Sequence, residues 1–461
     1  MAFILPFQGI SYNPQKTGDF SKVVAPPYDV ISAQEQDALY RRHPWNVVRL
    51  ILNKETPQDH PGDNRYTRSA ALYAAWQKEK ILIRAPQPRF YFLQEEFSPA
   101  ILPAGQTGSL PEKIIRRGFI GVIRLEEYGA GVVLPHEKTQ TKPRADRLAL
   151  MDACRANFSQ IYSLYPDEKG AMAPVYRQVF SSGPPALEAA DSEGVRRKLW
   201  MVSDPGILKS VREIMKPKQI YIADGHHRYE TALAYREKQR QKYPKSTGRE
   251  TYNFTMMYLA AMEDPGVFIL PTHRVVNNLE GFKAEAFLNQ LRADFSVTAF
   301  DCQPGEEKPV LDRLLKELSA RSEKERVLGM ALKGFNKYFL LALKDERAID
   351  EAEPGLAPSL KALDVNLLHI PILKKHLRIG PQDLAASKKV VYFKDPAEAA
   401  AAVQSGESQA AFFLNPTKVY QVRDVSLAGE TMPSKSTFFY PKLLSGLVIN
   451  PLNPDEEISG E

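Results

Sequence analysis

The sequence predicts an α/β or α+β protein, because segments with the period of strands and segments with the period of helices follow one another along the chain. Apolar and polar residues alternate, as in half-buried strands, at residues 90–93, 118–125, 218–223, 327–333 and 338–343. Thirty-five prolines in 461 residues disfavour a bundle of long helices, since proline interrupts helices.

Three segments have the period of helices. Ser32 and Glu35 have the Ser-x-x-Glu spacing of a capping box, which predicts that a helix begins there. Residues 144–162 repeat apolar side chains along one face, which predicts a helix over that whole range. Residues 226–242 predict a third helix that ends before Pro244, because proline disfavours helical backbone in the residue that precedes it.

The length and composition indicate a globular protein with more than one core. A chain of 461 residues exceeds the usual size of a single domain, and 43% of it is hydrophobic. Residues 281–350 have the pattern helix, strand, strand and helix, which suggests a lobe of their own. We therefore predict an N-terminal domain at 1–280, a smaller α+β lobe at 281–400, and a C-terminal segment at 401–461 that returns to the core.

Charge and composition exclude several classes of protein. The 61 basic and 55 acidic residues leave a net charge of +6, and no run of five basic residues occurs, so a nucleic-acid partner is not expected. Two cysteines, Cys154 and Cys302, do not suffice for a disulfide framework. No apolar run reaches the roughly 18 residues of a membrane span, and no secretory signal opens the chain. We expect a cytoplasmic protein without a membrane partner.

The most informative segment is the turn Asp224-Gly225-His226-His227-Arg228, which lies between an apolar strand and a helix. Unpaired N–H groups at a helix N-terminus bind anions, and Gly225 permits a positive φ or a close backbone approach. Asp224 can cap the helix or hold a metal ion, while His226, His227 and Arg228 add donors. We expect both histidines to face solvent. Cations there oppose the helix dipole, which favours a bound phosphate or carboxylate over a merely exposed basic turn.

Two further segments each offer a carboxylate. Glu137 lies beside Lys138 in a His-Glu-Lys-Thr cluster that supplies a base and a cation, although a solvated charged loop would have the same composition. Asp29 follows Pro26 and Pro27, whose fixed backbone holds a side chain steady; a structural turn is the alternative. Each of the two carboxylates is a candidate catalytic base.

Near the C-terminus, Lys435-Ser436-Thr437 offers an ammonium group and two hydroxyls to a phosphate. The residues before it lack the Gly-x-x-x-x-Gly of a Walker A loop, so the segment is not that motif. We count these three residues as candidate phosphate ligands.

Seven segments carry a resemblance to a known family: VVAPPYDVIS (23–32), HPWNVVRL (43–50), HEKT with KPRADR (136–147), NFSQIYSLY (157–165), IADGHHRYETAL (222–233), THRVV (272–276) and MPSKSTFFYPKL (432–443). In this order, and over nearly the whole chain, they resemble the bacterial and archaeal family of domain of unknown function 1015, DUF1015. The family itself implies little about function.

A second resemblance is confined to the turn. Asp224, Gly225, His227 and Arg228 resemble the Asp-Gly-x-His-Arg box of the ParB/sulfiredoxin superfold, with His226 at the variable position. In that superfold the box holds nucleotide phosphates: ParB-like proteins hydrolyse CTP, sulfiredoxin uses ATP, and free serine kinases phosphorylate serine. The resemblance implies a ParB/sulfiredoxin-like nucleotide-binding core with an additional α+β lobe, and these four residues as its phosphate site.

The leading prediction is a small-molecule phosphotransferase similar to free serine kinases, with ATP, ADP or pyrophosphate as the phosphate donor and serine as a candidate acceptor. Phosphoryl transfer needs phosphate clamps, usually Mg²⁺, and a base on the attacking hydroxyl. Asp224 would hold the Mg²⁺, and Asp29 or Glu137 would be the base. Lys138 or Lys435 would join the phosphate clamp.

Three alternatives stay open. A phosphohydrolase acting on phosphoserine-type substrates would use His226 or His227 as general acid or nucleophile. A ParB-like nucleotide-binding, DNA-associated protein or nuclease would need a basic surface or a helix-turn-helix. A sensor would bind a nucleotide or metabolite without turnover. The sequence leaves the oligomeric state open.

Overall fold

The computed structural model describes residues 1–99, 111–139, 141–386 and 389–458. The chain divides into two compact units. Unit 1 comprises Met1–Ser98, Lys113–Val267 and Pro441–Glu461, and unit 2 comprises Pro99–Glu112 and Phe268–Tyr440. Unit 2 is therefore inserted into the sequence of unit 1.

Unit 1 alternates strands and helices. Its strands before the insertion are β1 Ile4–Leu5, β2 Ile10–Tyr12, β3 Leu82–Arg84, β4 Phe90–Phe97, β5 Ile114–Arg124, β6 Val133–Leu134, β7 Ala156–Asn157, β8 Ile161–Tyr165, β9 Leu187–Ala190, β10 Arg196–Val202, β11 Ile220–Asp224 and β12 Phe254–Ala261. Its helices are α1 Pro14–Thr17, α2 Ala33–Arg42, α3 Val48–Ile51, α4 Arg65–Lys78, α5 Thr141–Cys154, α6 Ala173–Phe180, α7 Pro205–Met215 and α8 His226–Lys242.

A mixed sheet forms the centre of unit 1. Within the described residues its order is β6-β11-β8-β12-β5-β4-β10-β9, and β1 pairs with β5. β8 runs parallel to β12 and antiparallel to β11, which brings Asp224 at the end of β11 opposite Tyr162 in β8. Apolar side chains of the sheet and of α6, α7 and α8 pack into one buried core.

Unit 2 contains a second sheet. Its strands are β13 Phe268–Leu270, β14 His273–Val276, β15 Phe295–Asp301, β16 Val327–Leu332, β17 Lys337–Leu343, β18 Val390–Phe393, β19 Ala410–Phe413 and β20 Phe438–Tyr440. Its helices are α9 Ala284–Asp294, α10 Glu307–Arg321, α11 Arg347–Ala352, α12 Pro358–Lys361, α13 Asp364–Leu368, α14 Pro381–Ala386, α15 Pro396–Gln404 and α16 Val419–Leu427, with a π-helical segment at His369–His376.

The sheet of unit 2 is antiparallel, in the order β15-β17-β16-β19-β14-β18 over the described strands. Side chains from α10 and α15 complete its core. After unit 2 the chain returns to unit 1, where β21 Asn450–Pro451 pairs with β7. The predicted mixed α/β class is confirmed. Within the described ranges, every helix is too short or too polar to cross a bilayer.

Several predicted elements are confirmed. Ser32 caps α2 by accepting a hydrogen bond from the backbone N–H of Glu35. The predicted helix at 226–242 is α8, whose buried Tyr229, Ala232 and Tyr235 recur at helical spacing.

The helix predicted over residues 144–162 is wrong beyond Cys154. α5 ends there, and Arg155 adopts a left-handed backbone with φ of 49°. The following Ile161–Tyr165 is a strand buried on both faces between β11 and β12. A continuous apolar run of this length suits an internal strand as well as a helix, so periodicity did not separate the two.

A buried ion-pair group joins three strands of the unit 1 sheet. Glu95 of β4 lies directly opposite Arg116 of β5 on one side and Arg197 of β10 on the other. One carboxylate oxygen accepts from Arg116 Nε at 2.7 Å, and the other accepts from Arg197 Nε at 3.0 Å. Glu95 and Arg116 have no exposed side-chain area. Because water is excluded, Arg116 depends on this carboxylate for its compensation. Arg197 also pairs with Asp191, at 2.7 Å.

Replacement of Glu95 by Gln leaves the two arginines without their shared carboxylate. We expect Glu95→Gln to lower the free energy of unfolding by about 3–5 kcal/mol, measured by urea denaturation. The matched control is Glu96→Gln on the same strand, whose partner Lys113 is 66% exposed. That change should cost less than about 1 kcal/mol. Equal costs for the two variants would show that burial of the group has no energetic importance.

Candidate functional site

The turn between β11 and α8 has the geometry that its sequence predicts. Gly225 adopts φ 99° and ψ 29°, and α8 begins at His226 without a side-chain cap. A Cβ atom at position 225 would lie 2.8 Å from the guanidinium of Arg228. Both the left-handed backbone and the close guanidinium require glycine. The turn thus places the N-terminal end of this 17-residue helix, which no side chain caps, beside the guanidinium of Arg228.

Two cations converge on Asp224 at this turn. Arg228 Nη2 donates to Asp224 Oδ2 at 2.7 Å, and Lys442 Nζ donates to Asp224 Oδ1. Burial alone would raise the pKa of the Asp224 carboxyl, but Lys442 and Arg228 hold that pKa well below its ordinary value. The three side chains together carry one net positive charge, since two cations share one carboxylate.

Hydrogen bonds to backbone carbonyls hold the guanidinium of Arg228 and the main chain at Lys442 in place. Arg228 Nη1 donates to the carbonyl of Gln160, and the Gln160 side chain donates to the carbonyl of Leu444 at 3.0 Å. The buried Arg116 and Arg197 donate to the carbonyls of Pro441 at 2.7 Å and Lys442 at 3.0 Å. The ion-pair group of the sheet thus anchors the segment that carries Lys442.

His226 is buried, so the expectation that it faces solvent is wrong. Its side chain is 3% exposed, and its ring lies edge-on against the ring of His136 with centroids 4.6 Å apart. His226 Nε2 accepts from the backbone N–H of His136 at 3.2 Å, and His136 Nδ1 donates to the carbonyl of Ile222 at 2.8 Å. The two rings join the loop after β6 to β11 and to the start of α8.

Burial keeps both of these rings neutral. It lowers the pKa of His136 to about 4, and burial followed by the nearby His136 holds the pKa of His226 well below its ordinary value. Because Nε2 of His226 accepts a hydrogen bond, its proton lies on Nδ1, which is 3.8 Å from Glu137 Oε2. His227 is partly exposed.

The remaining residues of the His-Glu-Lys-Thr segment lie beside the start of α8. Glu137 is 34% exposed beside His226, and Lys138 is exposed. Thr139 Oγ1 donates to Glu230 Oε2 on α8. The segment therefore packs against the first turns of α8, and its carboxylate remains partly accessible to water.

A cavity of about 50 Å³ lies beside Arg228. Its lining includes Tyr28, Arg147, Ser159 and Thr231. Arg147 stacks over the Tyr28 ring at 3.9 Å, and the exposed Asp29 follows Tyr28 in a short 3₁₀ turn. The cavity is far smaller than the roughly 300–1,000 Å³ pockets that enclose whole ligands, so it fits only a small group.

The Lys435-Ser436-Thr437 segment belongs to unit 2, whereas the turn belongs to unit 1. Lys435 is exposed, with φ of 61°. Ser436 is buried, and its hydroxyl donates to the carbonyl of Pro433. The assignment of these three residues to the phosphate site stays a prediction.

The residues around the turn do not fit a protein-held magnesium ion. Both carboxylate oxygens of Asp224 already accept from cations. Among the described residues, no group of three or more His, Cys, Asp and Glu side chains is arranged to hold a metal. The prediction of Asp224 as a metal ligand therefore has no support from its geometry.

Sequence reasoning did not select Lys442, His136 or Gln160 as site residues. His136 adjoins the selected Glu137, Gln160 lies in NFSQIYSLY, and Lys442 is the second-last residue of MPSKSTFFYPKL, so all three lay within quoted motifs. The signal that was missing is spatial, since Lys442 and Asp224 are 218 positions apart in the chain.

The chain belongs to the family described as protein of unknown function DUF1015, whose model matches residues 4–366. The family membership predicted from the sequence is confirmed. A search of curated proteins found no match.

The chain is also similar to solved structures. One is a conserved hypothetical protein from Pyrococcus furiosus, at 14% identity and a TM-score of 0.30, with 70% of this chain and 91% of that chain covered. A free serine kinase variant in complex with ADP has 12% identity and a TM-score of 0.32, and the match covers 72% of this chain and 90% of that chain. SbnI with a C-terminal truncation, from Staphylococcus aureus, has 10% identity and a TM-score of 0.33, and the match covers 71% of this chain and 85% of that chain. Scores of this size assign no function to the chain.

The burial of His136 and His226 at the turn predicts that the stability of the protein depends on pH. Below about pH 6.5 the unfolded chain protonates these imidazoles and the folded chain does not, so the unfolded state binds more protons. The free energy of unfolding should therefore fall on acidification from pH 6.5 to 5, by up to about 1.4 kcal/mol per pH unit for each such histidine. Urea denaturation of His136→Asn should show a slope smaller by up to one proton. His60→Asn, at an exposed position, is the control with an unchanged slope.

Proposed function

We propose that this protein is a small-molecule phosphotransferase that binds the phosphate of a nucleotide or of pyrophosphate at the β11–α8 turn. The acceptor is a small hydroxyl compound such as serine. The observation that carries the proposal is the convergence of Arg228 and Lys442 on one carboxylate at the uncapped start of a long helix. The Asp-Gly-x-His-Arg pattern of the turn, which resembles the box of nucleotide-dependent enzymes, supports it.

The electrostatics of the turn favour a phosphate. Arg228 and Lys442 outweigh Asp224 by one positive charge, and the dipole of α8 adds a partial positive charge at the same point. Asp224 holds the two cations in fixed positions before any ligand arrives, so less of their conformational freedom is lost on binding. The cavity beside Arg228 offers room for a small group.

Asp29 is the better placed of the two candidate bases. It follows Tyr28, which lines the same cavity as Arg228, and it is exposed. Glu137 instead faces the Nδ1 atom of the buried His226. In the proposed reaction the acceptor oxygen bonds to phosphorus, and the bridging P–O bond breaks with its electron pair on the leaving phosphate. The hydroxyl proton passes to the Asp29 carboxylate.

Binding tests the phosphate site. We expect ATP, ADP or pyrophosphate to raise the melting temperature of the wild-type protein, since a ligand at 100 times its Kd adds about 2.7 kcal/mol. Arg228→Met removes a charge-assisted contact and should weaken binding about 10- to 100-fold. The control is Lys238→Met, about 15 Å further along α8 than Arg228, where Lys238 pairs with Asp152. An unchanged affinity in Arg228→Met would contradict the site.

Turnover tests the base. With serine as the acceptor, Asp29→Asn should lower kcat by about 10²–10⁴-fold while donor affinity stays unchanged, because only the proton acceptor is removed. Glu137→Gln is the matched change at the other carboxylate and should lower kcat less than about tenfold.

The opposite result for the two variants would assign the base to Glu137. A loss below tenfold in both would refute either assignment. Release of phosphate from phosphoserine in the absence of a donor would indicate that the protein is a hydrolase and not a transferase.

A further inference from the structure

Unit 2 contains a buried arginine that differs from those of the unit 1 sheet. Arg274 on β14 is 1% exposed, and among the described residues no carboxylate pairs with it. Its Nη1 donates to the carbonyl of Thr272 and its Nη2 to the carbonyl of Lys435 at 3.0 Å. Its Nε–H is buried without a hydrogen-bond partner. The hydrogen bonds of this positively charged guanidinium thus go to two backbone carbonyls.

This charge persists at neutral pH. Burial lowers the pKa of Arg274 to about 10, which leaves the guanidinium protonated. The burial of a charge without an opposite charge is strongly unfavourable, and proteins compensate it by pairing. Arg116, by comparison, is equally buried and is paired with Glu95. Arg274 thus has no compensating carboxylate among the described residues.

Tyr392 and His369 are residues of unit 2 that interact electrostatically with Arg274. Tyr392 lies directly opposite it on β18, and the guanidinium carbon is 5.5 Å from the centre of the ring. His369 opens the π-helical segment, and its Nε2 is buried without a partner. Burial and then the charge of Arg274 lower the pKa of His369 to about 3, so its ring is neutral and can present an N–H. π-Helical segments are rare in proteins, and those that occur often lie at functional sites.

We propose that unit 2 binds an oxyanion, a carboxylate or a phosphate group, at Arg274, with Arg274 Nε and His369 Nε2 as donors. The site belongs to unit 2, whereas the β11–α8 turn belongs to unit 1, and the proposal does not depend on the function proposed for that turn. The same guanidinium holds the carbonyl of Lys435, so binding also orders the loop that contains Lys435 and Ser436.

The test uses the full chain with Arg228→Met, in which the phosphate affinity proposed for the unit 1 turn is lowered about 10- to 100-fold. Inorganic phosphate and acetate are titrated separately at constant ionic strength. We expect at least one of them to raise the melting temperature and to slow hydrogen exchange in β14 and residues 433–437. Addition of Arg274→Met should abolish both effects without lowering the melting temperature of the anion-free protein, since it removes an uncompensated charge. Arg326→Met, which breaks the pair with Glu346 in unit 2, should leave both effects intact.

A response to acetate and phosphate indicates a general oxyanion site, and a response to phosphate alone indicates a phosphate group. If Arg274→Met does not fold, Arg274→Lys keeps the charge but loses the Nε donor, and the apparent Kd should rise at least about tenfold. An anion affinity that is unchanged in these Arg274 variants would overturn the proposal. So would the absence of any response in the Arg228→Met protein.

Discussion

The sharing of one buried carboxylate between two arginines is the interaction on which unit 1 depends. Glu95 fixes Arg116 and Arg197 on neighbouring strands, and each arginine then has N–H groups left for other acceptors. Those groups bind the carbonyls of Pro441 and Lys442. An ion pair in the sheet thereby determines where a segment from the far end of the chain lies, and with it the position of a lysine at the candidate site.

Asp224 holds together the two cations of the candidate site. Its two oxygens separate Arg228 from Lys442, which would otherwise repel each other, and hold them at the start of α8. The His136–His226 pair supports the same turn from the side of the core, because its hydrogen bonds join β11 to the helix. Charge and burial together give the turn a fixed shape without a capping side chain.

The sequence predicts the local part of this arrangement and misses the remote part. Strand and helix periodicity and the need for glycine at Gly225 are properties of neighbouring residues, so the β11–α8 turn was predictable. The end of α5 was not, because Arg155 turns the backbone into the left-handed region and no glycine marks that point. Lys442 was not predicted because its partner is remote in sequence, and the burial of His226 was not predicted because nothing local indicated that His136 would cover it.

The return of the chain to unit 1 affects how the protein is made. The ribosome completes β1 to β12 and then all of Phe268–Tyr440 before it reaches Lys442, an interval of roughly 10 to 35 s at usual elongation rates. During that interval the nascent polypeptide has Asp224 and Arg228 but lacks the second cation. The arrangement of two cations on one carboxylate therefore forms only after unit 2 has been synthesised, and a nascent chain that ends within unit 2 lacks it.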